Sequence, residues 1–95
     1  MIAKEHLLFV ADLTDDVNYF AVQEFFLQRS NLSREQITVE RLSSYPGRAE
    51  QPTRYAFVRI KDNQAAYMQI LNELRFPEIR PGVQSRVLEY EQRVL

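Results

Sequence analysis

The alternation of side chains between Arg54 and Lys61 is the feature that most constrains the fold of this 95-residue chain. The order of this segment is Arg-Tyr-Ala-Phe-Val-Arg-Ile-Lys, and its period of two is that of a β-strand. Three apolar side chains share one face: Ala56, Val58 and Ile60. The other face carries two rings and a guanidinium: Tyr55, Phe57 and Arg59. A half-buried strand usually presents polar groups there, so these rings predict a surface that meets a partner.

Composition places the chain among globular proteins of one domain, with 45% hydrophobic and 26% charged residues. No apolar run approaches the roughly 20 residues of a membrane helix, so we expect no membrane partner. The chain has no cysteine, which excludes disulfides and thiolate metal sites. This lack is compatible with a reducing compartment, and we expect an intracellular protein of the nucleus or the cytoplasm.

The charge of the chain is unevenly distributed. Its net charge of −1 argues against binding nucleic acid by bulk electrostatics. Residues 1–33 have two basic against five acidic side chains, a net −3, whereas residues 34–62 have six against four, a net +2. The basic part therefore surrounds the alternating strand, where flat rings beside cations suit unstacked nucleobases and phosphates.

Local patterns predict four strands and two helices. The strands are expected at residues 7–13, 37–42, 54–61 and 83–90. Leu42 is out of phase with Ile37 and Val39, which indicates either a bulge in the second strand or a different end of that strand. Thr14 is expected to cap a helix over residues 17–28, and Asp62 or Asn63 to cap another that ends near Leu74. Residues 43–53 are expected to form a long loop, with Tyr45 and Arg48 as exposed residues that bind nothing.

The order of strand, helix, strand, strand, helix, strand predicts an α+β fold. It is the split βαβ, ferredoxin-like arrangement: a four-stranded antiparallel sheet with both helices on one face. We expect the domain to span residues 5–91, with residues 92–95 as a tail or the start of a linker. One face of the sheet is thereby left open to a partner.

Two short segments resemble the sequence motifs of the RNA recognition motif (RRM) family. Residues 55–58, Tyr-Ala-Phe-Val, match the centre of the octamer that this family carries on its third strand, although Thr53-Arg54 replaces the opening Lys/Arg-Gly and Ile60 the final aromatic. Residues 8–13, Leu-Phe-Val-Ala-Asp-Leu, resemble its first-strand hexamer, with Asp12 in place of Asn. A more particular resemblance, over residues 11–17 and 85–88, is to the first such motif of poly(A)-binding proteins.

The resemblance implies that single-stranded RNA is the partner and that its bases stack on Phe9, Tyr55 and Phe57. Basic side chains near these rings are candidate contacts to bases or phosphates: Arg59, Lys61 and Arg86. Arg54 is a candidate replacement for the missing basic opener of the octamer, although alternation directs it toward the helices or the sheet edge. For each cation, ordinary solvated charge is the alternative.

Two other interpretations stay open at this point. The rings could form a cluster covered by a terminal segment or by a partner protein. Alternatively, the net negative charge and the acidic first helix favour an RRM-like module that binds a peptide or another subunit through its helical face.

Catalysis is not expected. Asp15 and Asp16 are adjacent on a helix start and do not face each other, and Gly47 and Gly82 cannot form a phosphate-binding loop. His6 is the only histidine and has no identifiable partner in the sequence. We therefore expect a binding module without catalytic residues, metal or cofactor.

Overall fold

The sheet is built as the sequence predicts, in a computed structural model that describes residues 5–44 and 54–90. Its strands are β1 (Glu5–Leu13), β2 (Ile37–Ser44), β3 (Arg54–Lys61) and β4 (Arg86–Tyr90), all paired antiparallel in the order β2-β3-β1-β4. The third strand has the predicted bounds. The two central strands are therefore those that carry the RRM-like segments.

Two helices, α1 (Tyr19–Arg29) and α2 (Gln64–Glu73), complete the split βαβ fold, and a short 3₁₀ turn covers Arg34–Gln36. Asn63 caps α2, because its side-chain oxygen accepts from the Ala66 amide at 3.0 Å. None of the helices among these described residues is long and apolar enough to span a membrane.

The prediction that Thr14 caps α1 is wrong. The helix begins later, where the Asn18 side chain accepts from the Ala21 amide at 2.8 Å. Thr14 instead starts a turn in which its carbonyl accepts from the Val17 amide at 3.1 Å, and its hydroxyl donates to the Asp16 carboxylate. Asn is as good a helix cap as Thr, so Asn18 can take this role. The turn at Thr14 comes before the helix, and Val17 is buried in the core ahead of the first helical residue.

The core lies between the sheet and the helices. Its strand residues come from one face of the alternating pattern: Leu8, Val10, Ala56, Val58, Ile60 and Val87, each at most 1% exposed. The helices supply Val22, Phe26, Tyr67 and Ile70. The other sheet face takes no part in this core, so both helices pack on one side only.

A bulge in β2 explains why Leu42 is out of phase. Val39 pairs with Val58 and Arg41 with Phe57, so two steps along β2 match one along β3. The extra residue lets both Val39 and Leu42 pack against the core. Glu40, between these two residues, hydrogen-bonds with Arg59.

The last strand is shorter than predicted. It begins at Arg86 rather than at residue 83, because Val83 forms an isolated bridge with Arg80 around a turn at Gly82. Gly82 has φ of +87°, which a side chain rarely permits. Tyr45, Arg48 and the predicted tail at residues 92–95 lie outside the described residues.

Candidate nucleic-acid interface

Phe9, Tyr55 and Phe57 lie side by side on the sheet face opposite the helices. Phe9 pairs directly with Phe57 across β1 and β3, with ring centroids 5.4 Å apart. The centroid of Tyr55 is 5.5 Å from that of Phe9 and 5.9 Å from that of Phe57. All three rings are half-buried and lie outside the hydrophobic core. The structure thus brings together the three predicted ring positions.

Tyr90 adds a fourth ring, which the sequence analysis missed. Its centroid is 5.1 Å from that of Phe57, with the planes at 73°. Tyr90 is 44% exposed. Leu88 pairs with Phe9 and is 39% exposed. Alternation could have placed Tyr90 on the same sheet face as Arg86, because residues i and i+4 of a strand share a face. We call the patch formed by Phe9, Tyr55, Phe57, Leu88 and Tyr90 the ring surface.

Arg59 lies beside the ring surface but is held by a carboxylate. Its Nε donates to one oxygen of Glu40 at 2.5 Å and its Nη2 to the other at 2.9 Å. These hydrogen bonds, aided by the guanidinium charge, lower the pKa of Glu40 despite the opposing effect of burial. The charge of Arg59 is therefore largely balanced within the protein.

Arg86 is paired in a similar way at the opposite end of the face. Its Nε donates to the Asp12 carboxylate at 2.6 Å. Asp12 occupies a second bulge, where the β1–β3 register shifts between Val10 and Leu13, and it has φ of 63°. The same residue accepts from the Ser85 hydroxyl through its carbonyl at 3.0 Å, which ties β1 to the start of β4.

The remaining predicted cations are Arg54 and Lys61, at the two ends of β3. Arg54 donates from Nη1 to the carbonyls of Asp15 and Val17, each at 3.0 Å, at the entry to α1. This is the direction that alternation predicts for it, and it does not bring the guanidinium to the ring surface. Lys61 lies exposed at the end of β3.

A depression in the open face lies next to Phe57. It has a volume of about 330 Å³, at the low end for ligand sites. We call it the sheet depression, and its lining is Leu7, Glu40, Arg41, Phe57, Arg59 and Tyr90. Arg41 was missed from sequence because only the β2 bulge places it opposite Phe57. The lining thus combines apolar and aromatic side chains with charged ones.

His6 is accounted for by packing. Its ring stacks on that of Tyr67 in α2, with centroids 4.3 Å apart and planes at 19°. The described residues contain no cluster of three or more acidic or histidine side chains suited to a metal ion.

Comparisons with known proteins give a likeness of fold. No family model and no curated protein matches the chain. Among solved structures, it is similar to the MEC-8 C-terminal RRM domain bound to AGCACA, with a TM-score of 0.60 and 22% sequence identity. The alignment covers 96% of each chain. The chain therefore has the fold of an RNA recognition motif domain.

Proposed function

We propose that this chain is a single-stranded RNA-binding module that stacks bases on the ring surface. The observation that carries the proposal is the contact among rings from β1, β3 and β4 on the face that the helices leave open. We assign base stacking to Phe9, Tyr55 and Phe57, the residues that the family resemblance implies, and add Tyr90. Any cover over these rings would have to come from outside residues 5–44 and 54–90.

Stacking can account for a useful affinity. Each base stacked on a ring contributes roughly 1–3 kcal/mol, and a micromolar dissociation constant corresponds to about 8 kcal/mol. Three stacked bases and a few phosphate contacts reach that order of magnitude. RNA binding then depends on rings more than on net charge.

Arg59, Arg86 and Lys61 are the cations that we assign to phosphate or base contacts. The first two are paired with carboxylates, and their side chains are 27% and 52% exposed. Exposed pairs of this kind contribute about 0–1 kcal/mol, so exchanging a carboxylate for a phosphate costs little. We leave Arg54 out of this set because its guanidinium binds backbone carbonyls at the entry to α1.

The resemblance to the first motif of poly(A)-binding proteins favours adenine-rich RNA. The MEC-8 domain was solved with AGCACA, and the same hexamer is a suitable probe for this chain. We further propose that the module acts within a longer mRNA-binding or RNA-processing protein, because one module of modest affinity gains from linkage to others.

Exposed aromatic residues on α1 favour a second function, the binding of a protein subunit or peptide. Phe20 is 65% exposed and Tyr19 48% exposed, beside the acidic turn at Asp15 and Asp16. This surface lies on the helical side, so it leaves the ring surface free for RNA.

The test is a fluorescence anisotropy titration of AGCACA and oligo(A) onto the wild type and a Phe9→Ala/Phe57→Ala variant. Phe20→Ala is the matched control, since it removes an exposed phenylalanine on the helical side. We expect binding by the double variant to be at least about tenfold weaker, because two stacking platforms are lost. We expect Phe20→Ala to bind like the wild type.

Equal affinity of the wild type and a folded double variant would reject base stacking on the sheet. Failure of the wild type to bind either RNA would reject the proposed function as a whole. Amide chemical shifts of each variant would establish that it is folded.

A further inference from the structure

Arg41 owes its place on the open face of the sheet to the bulge in β2. Val39 pairs with Val58, and Arg41, two residues further on, pairs with Phe57. In a regular antiparallel strand Arg41 would pair instead with Ala56, which is fully buried in the core. Directly paired residues present their side chains to the same face of a sheet. The bulge therefore gives the side chain of Arg41 the face of Phe57 rather than the face of the core.

The charges that line the sheet depression do not cancel. The lining has two guanidinium groups, those of Arg41 and Arg59, and one carboxylate, that of Glu40, so its net charge is 2 − 1 = +1. The carboxylate accepts hydrogen bonds from Nε and Nη2 of Arg59. Arg41 is exposed, and within residues 5–44 and 54–90 its side chain has no ion pair or hydrogen bond. The surplus positive charge of the depression is thus that of Arg41.

No other cation described above has this position beside a ring. Arg86 is held by the Asp12 carboxylate at 2.6 Å. Lys61 is exposed, but it lies four residues along β3 from Phe57, which corresponds to about 13 Å of strand. Arg41 is directly opposite Phe57, and the β-carbons of such cross-strand partners are only about 5 Å apart.

We propose that Arg41 binds a backbone phosphate of the nucleotide whose base stacks on Phe57. The inference rests on the proposed RNA-binding function and deepens it by assigning a charge contact that a net charge of −1 does not suggest. A guanidinium has only donors, and it binds phosphate oxygens through two parallel hydrogen bonds. The long side chain of Arg41 reaches beyond the ring of its cross-strand partner, where the sugar and phosphate of a stacked nucleotide lie.

This contact also supplies a basic group where the octamer has lost one. Thr53 stands in place of the basic opener on β3, and the guanidinium of Arg54 is bound to carbonyls at the entry to α1. Arg41 offers its charge to the same sheet face from the neighbouring strand.

The experiment titrates three labelled RNAs, AGCACA, AAAAAA and UUUUUU, by fluorescence anisotropy at three or more salt concentrations. We expect Arg41→Ala to bind each RNA about tenfold more weakly, as for one hydrogen bond to a charged group. The slope of log K against log salt should become shallower by about 0.7. Arg41→Lys should restore the slope, because it keeps the charge, but not the full affinity, because lysine cannot form two parallel hydrogen bonds.

Arg75→Ala is the matched control, since it removes the same charge from an exposed arginine just after α2. It should bind like the wild type, and amide chemical shifts would establish that each variant is folded. An equal loss of affinity in Arg75→Ala and Arg41→Ala would mean that overall charge, and not a contact of Arg41, is responsible.

Two further results would overturn the phosphate contact while leaving RNA binding intact. One is a wild-type affinity and salt slope in folded Arg41→Ala. The other is a loss confined to one of the three RNAs with an unchanged slope, which would make Arg41 a base contact. Failure of the wild type to bind any of the three RNAs would instead defeat the proposed function and this inference with it.

Discussion

The ring of Phe57 on β3 contacts the ring of Tyr90 on β4, although β1 lies between these two strands. Strands two places apart are separated by about 10 Å, so the 5.1 Å between the ring centroids shows that the side chains lean together over β1. They join the rings of the central strands to the β4 edge. The ring surface is thus continuous from Tyr55 to Tyr90.

Tyr90→Ala should weaken RNA binding by about 1–3 kcal/mol, because a stacking platform and a neighbour of Phe57 are both lost. Tyr90→Phe should retain most of the affinity, since the ring is kept. Met68→Ala is a suitable control: Met68 is also 44% exposed, but it lies on α2. Titration with AGCACA would check this, and unchanged binding by Tyr90→Ala would remove Tyr90 from the interface.

Lys61→Ala should weaken RNA binding without changing base preference, because an exposed lysine at the end of β3 offers charge alone. The slope of log K against log salt should become shallower by about 0.7, the value for one phosphate contact to a single strand. Titrations at three or more salt concentrations would measure both slopes. A slope equal to that of the wild type would mean that Lys61 makes no phosphate contact.

Arg54→Ala should destabilise the domain and leave the affinity for RNA unchanged. The substitution removes the hydrogen bonds to the carbonyls of Asp15 and Val17 that hold the entry to α1. We expect the free energy of unfolding to fall by about 1–2 kcal/mol, as measured by urea denaturation. A clear loss of affinity in the folded variant would instead restore Arg54 as a phosphate contact.

Asn18→Ala should destabilise the domain by about 1 kcal/mol, the usual cost of losing a helix cap. Thr14→Ala should cost less, because the Thr14 side chain bonds within the preceding turn and caps no helix. Urea denaturation of the two variants would decide between the two residues. A larger effect at Thr14 than at Asn18 would contradict the observed start of α1.

The Glu40–Arg59 pair should make the stability of the domain depend on pH. Since the pKa of Glu40 is lower in the folded state, the pair stabilises the fold above the ordinary glutamate pKa of about 4.3 and loses this effect as pH falls through the folded pKa. The free energy of unfolding should therefore differ more between wild type and Glu40→Gln at pH 7 than at about pH 3. An equal difference at both values would show that the pair does not titrate in this way.

Much of the fold could be predicted because it follows from local sequence patterns. Strict alternation defined β3, and the same parity placed Phe9, Tyr55 and Phe57 on the open face. Asn63 was one of two predicted caps for α2. In contrast, Thr14 and Asn18 are both good caps, and nothing local indicated that Val17 packs into the core before α1 begins.

The pairing of charges could not be predicted in the same way. Glu40 lies at a bulge in β2 and pairs with Arg59, and Asp12 lies at a bulge in β1 and pairs with Arg86. Each pair joins residues from different strands, so its formation depends on register. The phase of Leu42 was compatible with a bulge in β2 or with a different strand end, and it did not indicate which charged residue would lie beside Arg59.

By itself, the sequence determined the order of the elements and which side chains share a face, because alternation and helical spacing are properties of neighbouring residues. Only the tertiary structure decided that Tyr90 joins the rings, that Arg59 and Arg86 are paired with carboxylates, and that Arg54 binds the entry to α1. These outcomes depend on strand order and on two bulges, which bring together residues that are distant in the chain.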